Sequence, residues 1–239
     1  MITVATWNVL HRVHAENWGG DIPELWPDEA ERIAAVTARV AGTAGRIIAL
    51  QEVSGDQLAD LRRALPDRSI HAMKYPRIPS PRRVASRLGD RSEHLVLILD
   101  APGEEVAAEA YGDDPGKGLL AVRTAGLLVA ATHVSTGARR PGQLARLAEV
   151  VTGAPDRTVV LLGDFNADRG TVVAELGPGF AAAALPAGGP PTRPRTTGEK
   201  SQWIDHVIVR GATADGAVVE DAAGLSDHNP VRARVTPAP

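Results

Sequence analysis

Apolar runs that stop abruptly at polar residues are the feature of this chain that most constrains its fold. The run Arg46–Leu50 is typical of a buried strand that delivers Glu52, and a segment with Leu58, Leu61 and Leu65 at helical spacing follows it. Strands that alternate with amphipathic helices are typical of α/β proteins, and functional side chains often lie where such elements end. The pattern therefore predicts an α/β fold with a site built from several strand ends.

The same reasoning predicts further elements along the chain. A capping-box pattern at Asp28–Glu31 begins a helix, and Gly42 is expected to end it. The segments Leu10–Asp28 and Gly177–Thr197 contain Gly and Pro residues and are expected to be loops. Another helix is predicted at Pro141–Gly153, and the remaining strands are predicted at Ile2–Val9, His94–Leu99, Leu119–Val122, Leu127–Thr132, Thr158–Leu162, Trp203–Val209 and Val231–Val235.

Length and cysteine content limit the domain organisation and the kind of metal site. At 239 residues the chain can bury a large core as one domain, which we expect to span residues 1–239. It has no cysteine, which excludes disulfides, thiolate metal sites and cysteine nucleophiles. A hard cation with oxygen ligands is therefore the expected kind of metal.

Charge and hydropathy limit the partners. A net charge of -3 and a pI near 6.2 argue against a surface built throughout to hold polyanions. The basic segment Lys74–Arg91 is either a solvated loop or a local surface that attracts phosphate. No apolar stretch approaches the ~20 residues of a membrane span, and the chain opens at Ile2 without a basic, apolar leader. A cytoplasmic location and a monomer are the default expectations.

Acidic and amide side chains at two strand ends suggest the chemistry. Glu52 follows a buried run, and an acid at that depth needs a partner, either a divalent cation or an arginine. Asp164 and Asn166 are two apart on an extended segment and are expected to point to the same side. One can then handle a proton while the other donates to an oxyanion, and an Asx turn is the structural alternative.

Histidines supply a second component. His228 can act as a general base at neutral pH, but its neighbour Asp227 diverges from it on an extended segment. Asp205 is therefore the candidate that orients His228, which leaves Asp227 free to bind metal. His133, at its own strand end, either donates to a phosphate oxygen or serves as a capping or packing residue. Together these groups predict metal-assisted hydrolysis.

The ordered motifs resemble those of the endonuclease/exonuclease/phosphatase (DNase I-like) superfamily over nearly the whole chain. The motifs are Thr6-Trp7-Asn8-Val9, Leu50-Gln51-Glu52-Val53, Thr132-His133, Gly163-Asp164-Phe165-Asn166, Ile204-Asp205-His206-Val207 and Ser226-Asp227-His228. The resemblance implies a four-layer α/β/β/α sandwich, in which two packed mixed β-sheets are flanked by helices. It also implies a site at one edge of the sheets.

The resemblance further implies a role for each matching residue. Glu52 is similar to the principal Mg²⁺ ligand, supported by Asn8 and Asp227, and Mn²⁺ is the alternative ion. Asp164 resembles the residue that aligns or deprotonates the attacking water. Asn166 resembles a stabiliser of the charged phosphorus centre, and His133 a phosphate-contacting histidine. His228, oriented by Asp205, resembles the second catalytic histidine.

The substrate is less constrained than the chemistry. A phosphodiesterase or nuclease is the leading hypothesis, because arginines could track a phosphate backbone; the candidates for substrate binding are Arg82, Arg83, Arg139 and Arg140. The acidic pI and a total of eight Trp, Tyr and Phe residues argue against nucleic acid. A phosphomonoesterase acting on a small metabolite or lipid head group is the alternative, and a non-catalytic binding protein is a third. His11 and His14 either form an extra metal site or, as we expect, lie on the surface.

Overall fold

Two six-stranded β-sheets pack face to face in the part of the chain that the structure describes. The computed structural model describes residues 1–18, 21–82, 87–194 and 201–238. The first sheet has the spatial order β11 (Ala212–Val219), β12 (Val231–Pro237), β1 (Ile2–Asn8), β2 (Ile47–Ser54), β4 (Glu93–Leu99) and β3 (Ser69–Lys74). The second has the order β5 (Glu104–Tyr111), β6 (Asp114–Thr124), β7 (Leu127–His133), β8 (Val159–Asp164), β10 (Asp205–Arg210) and β9 (Phe180–Ala182).

Helices cover the outer face of each sheet. On the first sheet they are α3 (Glu29–Gly42) and α4 (Gly55–Ala64), and on the second α5 (Arg140–Gly153) and α6 (Arg169–Leu176). Two shorter helices, α1 (Arg12–Trp18) and α2 (Ile22–Leu25), pack on each other in a separate small cluster, and a 3-10 helix at Gly137–Arg139 precedes α5. Both sheets are mixed, since β1 and β2 run parallel across α3, and β7 and β8 run parallel across α5. Within the described ranges, no helix has the length and apolar character needed to cross a membrane.

Alternation along the strands builds three hydrophobic layers. In β2, Ile47 and Ala49 face the second sheet, while Ile48 and Leu50 pack against α3 and α4. In β8, Leu161 faces α5 and α6. Strands that are apolar on both faces are expected where helices cover one face and another sheet the other. The α/β/β/α sandwich predicted from the sequence is confirmed.

Several elements differ from the sequence prediction. Leu10–Asp28 is not a loop, because it contains α1 and α2. Pro23 lies in the first turn of α2, where proline has no intrahelical hydrogen bond to lose. Within Gly177–Thr197 the chain forms β9, which pairs with β10. The strands β3, β5 and β11 were also not predicted, and all four additions lie at sheet edges.

The cap of α3 gives a first testable prediction. The Asp28 carboxylate accepts hydrogen bonds from the backbone N–H groups of Ala30 (2.8 Å) and Glu31 (3.4 Å). Replacing Asp28 with alanine is expected to lower the free energy of unfolding by about 1 kcal/mol, measured by urea denaturation. Asp67→Ala, at an exposed turn position, is the control and is expected to change it little. An unchanged urea midpoint for Asp28→Ala would contradict the capping role.

Candidate active site

The predicted strand ends converge at one edge of the two sheets. Asn8 and Glu52 come from the first sheet, and His133, Asp164 and Asp205 from the second. Asp164 is in direct register with both His133 on β7 and Asp205 on β10. Most of these side chains line or underlie an open cleft of about 1100 Å³. The convergence predicted from the sequence is therefore present.

A bulge in β2 aims Glu52 into this cleft. The register between β2 and β4 shifts between Leu50 and Val53, and Glu52 has φ 59°. A bulge redirects a side chain, and the left-handed backbone of a non-glycine residue is costly, which is typical of functional positions. The Glu52 carboxylate accepts from the Asn8 amide and from the backbone N–H of His11, each at 3.2 Å. Hydrogen-bond donors hold this carboxylate, rather than an arginine.

The charges around Glu52 keep it ionised. Burial alone would raise the pKa of Glu52, but the positive charges of His14, His133 and Lys117 and the hydrogen bond from Asn8 outweigh it, so the pKa lies below its usual range. An ionised carboxylate oxygen is a good ligand for a hard divalent cation. Glu52 is thus chemically suited to the metal role that its motif implies.

Asn8 bridges the two acids at the floor of the cleft. Its side-chain NH₂ donates to Glu52 Oε1 and to Asp164 Oδ2, both at 3.2 Å. Its oxygen accepts from the backbone N–H of Leu10 at 3.0 Å. In this structure Asn8 therefore orients the carboxylates, and it presents donors rather than its oxygen to them.

Asp164 lies at the centre of the group. Its Oδ2 is 3.3 Å from His133 Nε2 and 3.8 Å from His228 Nε2. Burial would raise the pKa of Asp164, but the charges of the two histidines and of Lys117 lower it well below its usual range. Gly163 precedes it because a Cβ there would clash with the carbonyl of Thr132. The carboxylate is ionised at any ordinary pH.

Asn166 forms an Asx-type turn and also presents its side chain to the cleft, so both alternatives from the sequence analysis apply in part. It has φ 49°, and its backbone N–H donates to Asp164 Oδ1 at 3.0 Å, which is an Asx-type turn rather than an extended segment. Its side chain lines the cleft, and its NH₂ donates to the carbonyl of Val134 at 2.8 Å. One donor of Asn166 is therefore occupied by the backbone.

His228 and Asp205 form the expected buried pair. His228 Nδ1 lies 2.9 Å and 3.1 Å from the two Asp205 oxygens. Burial alone would lower the pKa of His228, but the charges of Asp205, Asp227 and Asp164 raise it to about 9. Thr192 supports the pair, since its hydroxyl accepts from the backbone N–H of Asp205 at 3.1 Å. At neutral pH the ring is an imidazolium whose Nε2 faces Asp164.

His133 sits between acids and a lysine that the sequence did not single out. His133 Nε2 contacts Lys117 Nζ and lies 4.0 Å from Glu52 Oε1. Lys117 lies on β6 beside Gly118, which is in register with His133. A single lysine before an apolar run belongs to no motif, so only the strand pairing reveals it.

Asp227 lies in the same cleft with one oxygen paired and one not. Its Oδ2 accepts from Arg193 Nη2 (2.9 Å) and Nε (3.1 Å). Its Oδ1 is buried and has no hydrogen-bond partner among the described residues. A buried, unpaired carboxylate oxygen is an available metal ligand.

The arginines predicted to bind substrate differ in their position relative to the cleft. Arg82 and Arg139 line the cleft. Arg140 does not, because its guanidinium makes two 3.0 Å hydrogen bonds to Glu175 on α6. Arg83 lies outside the described residues. Of the three arginines that the structure describes, two therefore line the cleft.

His14 on α1 and His11, the residue before α1, do not lie on the surface, although the sequence analysis expected them there. His11 is buried, and His14 contacts the buried Glu93 with Nε2 and Oε2 3.2 Å apart. Glu93 was not singled out, because it precedes an apolar run in the same way as many strand-flanking acids. The expectation failed because the segment folds as a helix over the cleft edge.

Two packed sheets that present carboxylates, an amide and two histidines at one edge define a class of phosphoester hydrolases. A family model described as "Endonuclease/Exonuclease/phosphatase family" matches residues 5–228, and the chain belongs to this family. It is therefore an enzyme that hydrolyses phosphate esters. No curated protein sequence matches it significantly.

Solved structures share this fold at low identity. D. rerio TDP2 complexed with single-strand DNA product has 15% identity and a TM-score of 0.69, with 98% of each chain covered. An endonuclease/exonuclease/phosphatase family protein from Bacteroides thetaiotaomicron has 16% identity and a TM-score of 0.69, and the match covers 98% of this chain and 97% of that chain. A mannosyl-6-phosphatase from the same organism has 16% identity and a TM-score of 0.67, and the match covers 99% of this chain and 100% of that chain. These similarities establish the fold.

Proposed function

We propose that this protein is a Mg²⁺-dependent phosphodiesterase that cleaves a nucleic-acid substrate with an activated water. The observation that carries the proposal is the ionised Asp164 between His133 and His228 on the floor of an arginine-lined cleft. Phosphoryl transfer needs charge neutralisation and an aligned nucleophile, and little covalent chemistry.

The residues present fit a hard divalent cation. Glu52 offers an ionised carboxylate, and Asp227 offers a buried oxygen without a described partner. Both are oxygen donors, which Mg²⁺ prefers, and Mn²⁺ accepts the same ligands. Glu52 and Asp227 would hold the ion, with Asn8 fixing the orientation of Glu52. When bound, the ion would neutralise phosphate charge and make a water more acidic.

Asp164 and His228, the two charged residues at the floor, have different roles in the proposed proton transfer. Because the pKa of Asp164 is low, this carboxylate aligns the attacking water and is a weak base. Because the pKa of His228 is near 9, its Nε2 carries a proton that can go to the leaving oxygen. Asp205 holds the ring in the orientation required. His133 and Asn166 are proposed to contact the phosphate oxygens.

The cleft favours a diester that extends beyond one phosphate. At about 1100 Å³ it exceeds what a small phosphorylated metabolite fills, and Arg77, Arg82 and Arg139 line it. D. rerio TDP2, which shares the fold, is described with a single-strand DNA product. The non-catalytic alternative has no support, since every expected catalytic position is occupied by the expected residue type.

A phosphomonoesterase is the second candidate, and Lys117 is the observation that favours it. Its ammonium contacts His133 at the floor, where it could neutralise the additional charge of a terminal phosphate. The mannosyl-6-phosphatase from B. thetaiotaomicron shows that this fold accommodates a phosphatase.

Comparative hydrolysis separates these candidates. The substrates are bis-nitrophenyl phosphate, nitrophenyl phosphate and single-stranded DNA, each with Mg²⁺, Mn²⁺ or EDTA. The proposal predicts diester and DNA cleavage that EDTA abolishes. Cleavage of the monoester alone would favour the second candidate, and EDTA-resistant cleavage would contradict the metal.

The proposal also includes the organisation expected from the sequence: one catalytic unit over residues 1–239 that is monomeric and cytoplasmic. Light scattering coupled to size exclusion tests the monomer, and cell fractionation tests the location. A stable dimer would require the cleft to be reconsidered in its assembled form.

Glu52→Gln tests the principal metal ligand. Glutamine keeps the size of the side chain but removes its charge, so the Mg²⁺ concentration for half-maximal activity is expected to rise by about 10-fold or more. Metal titrations of the initial rate measure it. Glu24→Gln, on an exposed position of α2, is the matched control and is expected to titrate like the wild type. An unchanged Mg²⁺ requirement would remove Glu52 from the ligand set.

Arg139 and Arg140 provide a matched pair for DNA binding. Arg139 lines the cleft, whereas Arg140 is paired with Glu175. Arg139→Gln is expected to reduce the slope of log affinity against log salt for single-stranded DNA by about 0.7, one phosphate contact. Arg140→Gln is expected to leave the slope unchanged. Equal slopes for all three proteins would favour the small-substrate candidate.

A further inference from the structure

A second group of side chains suited to metal binding includes Glu52, and its other two members have no part in the proposed reaction. It comprises His14 on α1, Glu93 at the start of β4 and Glu52 on the bulge of β2. One ligand atom from each lies within 4.8 Å of the others. Three ligand atoms from three separate elements are therefore close enough to share one ion.

Glu93 is a buried acid with two basic side chains near it. The Glu93 side chain is 1% exposed, and its nearby basic groups are His14 at 3.2 Å and Arg77 at 3.9 Å. Buried carboxylates are normally paired or coordinate a metal, and a divalent cation would neutralise both acids.

Two further buried atoms beside Glu93 have no hydrogen-bond partner within the described ranges: His11 Nε2 and the Tyr75 hydroxyl. His11 Nδ1 accepts from the backbone N–H of Val13 at 3.2 Å, so the neutral ring carries its proton on Nε2. The His11 ring centroid lies 5.4 Å from that of His14, and the backbone N–H of Tyr75 donates to the carbonyl of Glu93 at 2.9 Å. Buried donors without a protein partner indicate bound water or a ligand. These two suit water molecules bound to a cation.

We propose that His14, Glu52 and Glu93 form a second divalent-cation site, which takes Mn²⁺ or a borderline cation such as Zn²⁺. An imidazole nitrogen with two carboxylates suits these ions better than Mg²⁺, which prefers oxygen ligands throughout. The site shares Glu52 with the proposed Mg²⁺ site but not Asp227. It adds positive charge to the wall of the cleft formed by α1.

Counting bound Mn²⁺ tests this site without substrate. Calorimetry on the full chain is expected to give two Mn²⁺ per wild-type molecule, and one for His14→Gln or Glu93→Gln. Asp227→Asn is expected to lose the other ion and keep the one at His14. His71→Gln, a histidine on β3 that does not line the cleft, is the control and is expected to keep two.

The proposal is overturned if the wild type binds at most one Mn²⁺, or if His14→Gln and Glu93→Gln both keep two. Because Glu93 is buried and its variant could unfold, wild-type crystals soaked in Zn²⁺ give a second measurement. Anomalous scattering is expected between His14 and Glu93, and its absence there would also overturn the site. A protein that shows this ion but hydrolyses no phosphate ester would refute the proposed function alone.

Discussion

Replacing Asp164 with asparagine is expected to lower kcat by about 10³-fold, with a much smaller change in KM. The carboxylate lies within 4 Å of His133 and His228, and its charge contributes to raising the pKa of His228. Asparagine has nearly the same shape, so the loss would come from the missing charge and from a misaligned water. Steady-state rates on bis-nitrophenyl phosphate at saturating Mg²⁺ measure the change.

Asp168→Asn is the matched control for this variant. Asp168 is four residues further on, and its exposed carboxylate caps α6 by accepting from the backbone N–H of Thr171 at 3.1 Å. Asparagine caps helices as well as aspartate does, so wild-type activity is expected. If Asp164→Asn retained more than a tenth of the wild-type rate while folded, Asp164 would not be the residue that aligns the nucleophile.

His228→Gln is expected to reduce kcat by about 10²-fold or more, because the proposed proton donor is removed. The wild-type rate is expected to fall as the pH rises through about 9, where the imidazolium loses its proton. The negative charge of Asp205 contributes to raising this pKa. Asp205→Asn should therefore move the alkaline limb of the pH–rate profile to lower pH.

His206→Gln is the control for a buried histidine. His206 Nε2 lies 2.9 Å from the carbonyl of Ala167 and does not line the cleft. Its replacement is expected to affect stability more than the pH profile. An alkaline limb that stays in place in Asp205→Asn would show that another group titrates, and the role of His228 as acid would then be abandoned.

The central strands could be predicted from the sequence because they are apolar on both faces. The strands that were missed, β3, β5, β9 and β11, each have a neighbour on one side alone. Three of them carry mixed polar sequences, and β9 is only three residues long. Edge strands lack the continuous apolar pattern on which the prediction depends. The segment containing α1 and α2 was missed because its glycines and prolines indicated a loop. In the structure Arg12 fixes this segment by donating to the carbonyl of Trp26 at 2.6 Å.

The principal site residues could be named because each belongs to a motif at a strand end. Glu93 could not, because its position depends on the pairing of β2 with β4, which are distant in sequence. Lys117 could not, because it belongs to no motif and only the register of the β6–β7 hairpin brings it to His133. The bulge at Glu52 was also invisible, since the apolar pattern of β2 continues beyond it to Val53. Whether Arg139 and Arg140 reach the cleft depends on the direction that each side chain takes at the start of α5, which the sequence does not show.

The floor of the cleft is assembled from both sheets, so the packing between them sets its dimensions. Ala49 and Ala131 are fully buried in the layer between the sheets. Small residues at such positions allow two sheets to approach closely, and a larger side chain would have to separate or shear them. Evolution can therefore adjust the separation of Glu52 and Asp164, and with it the preferred substrate, through the protein interior while every cleft residue stays the same.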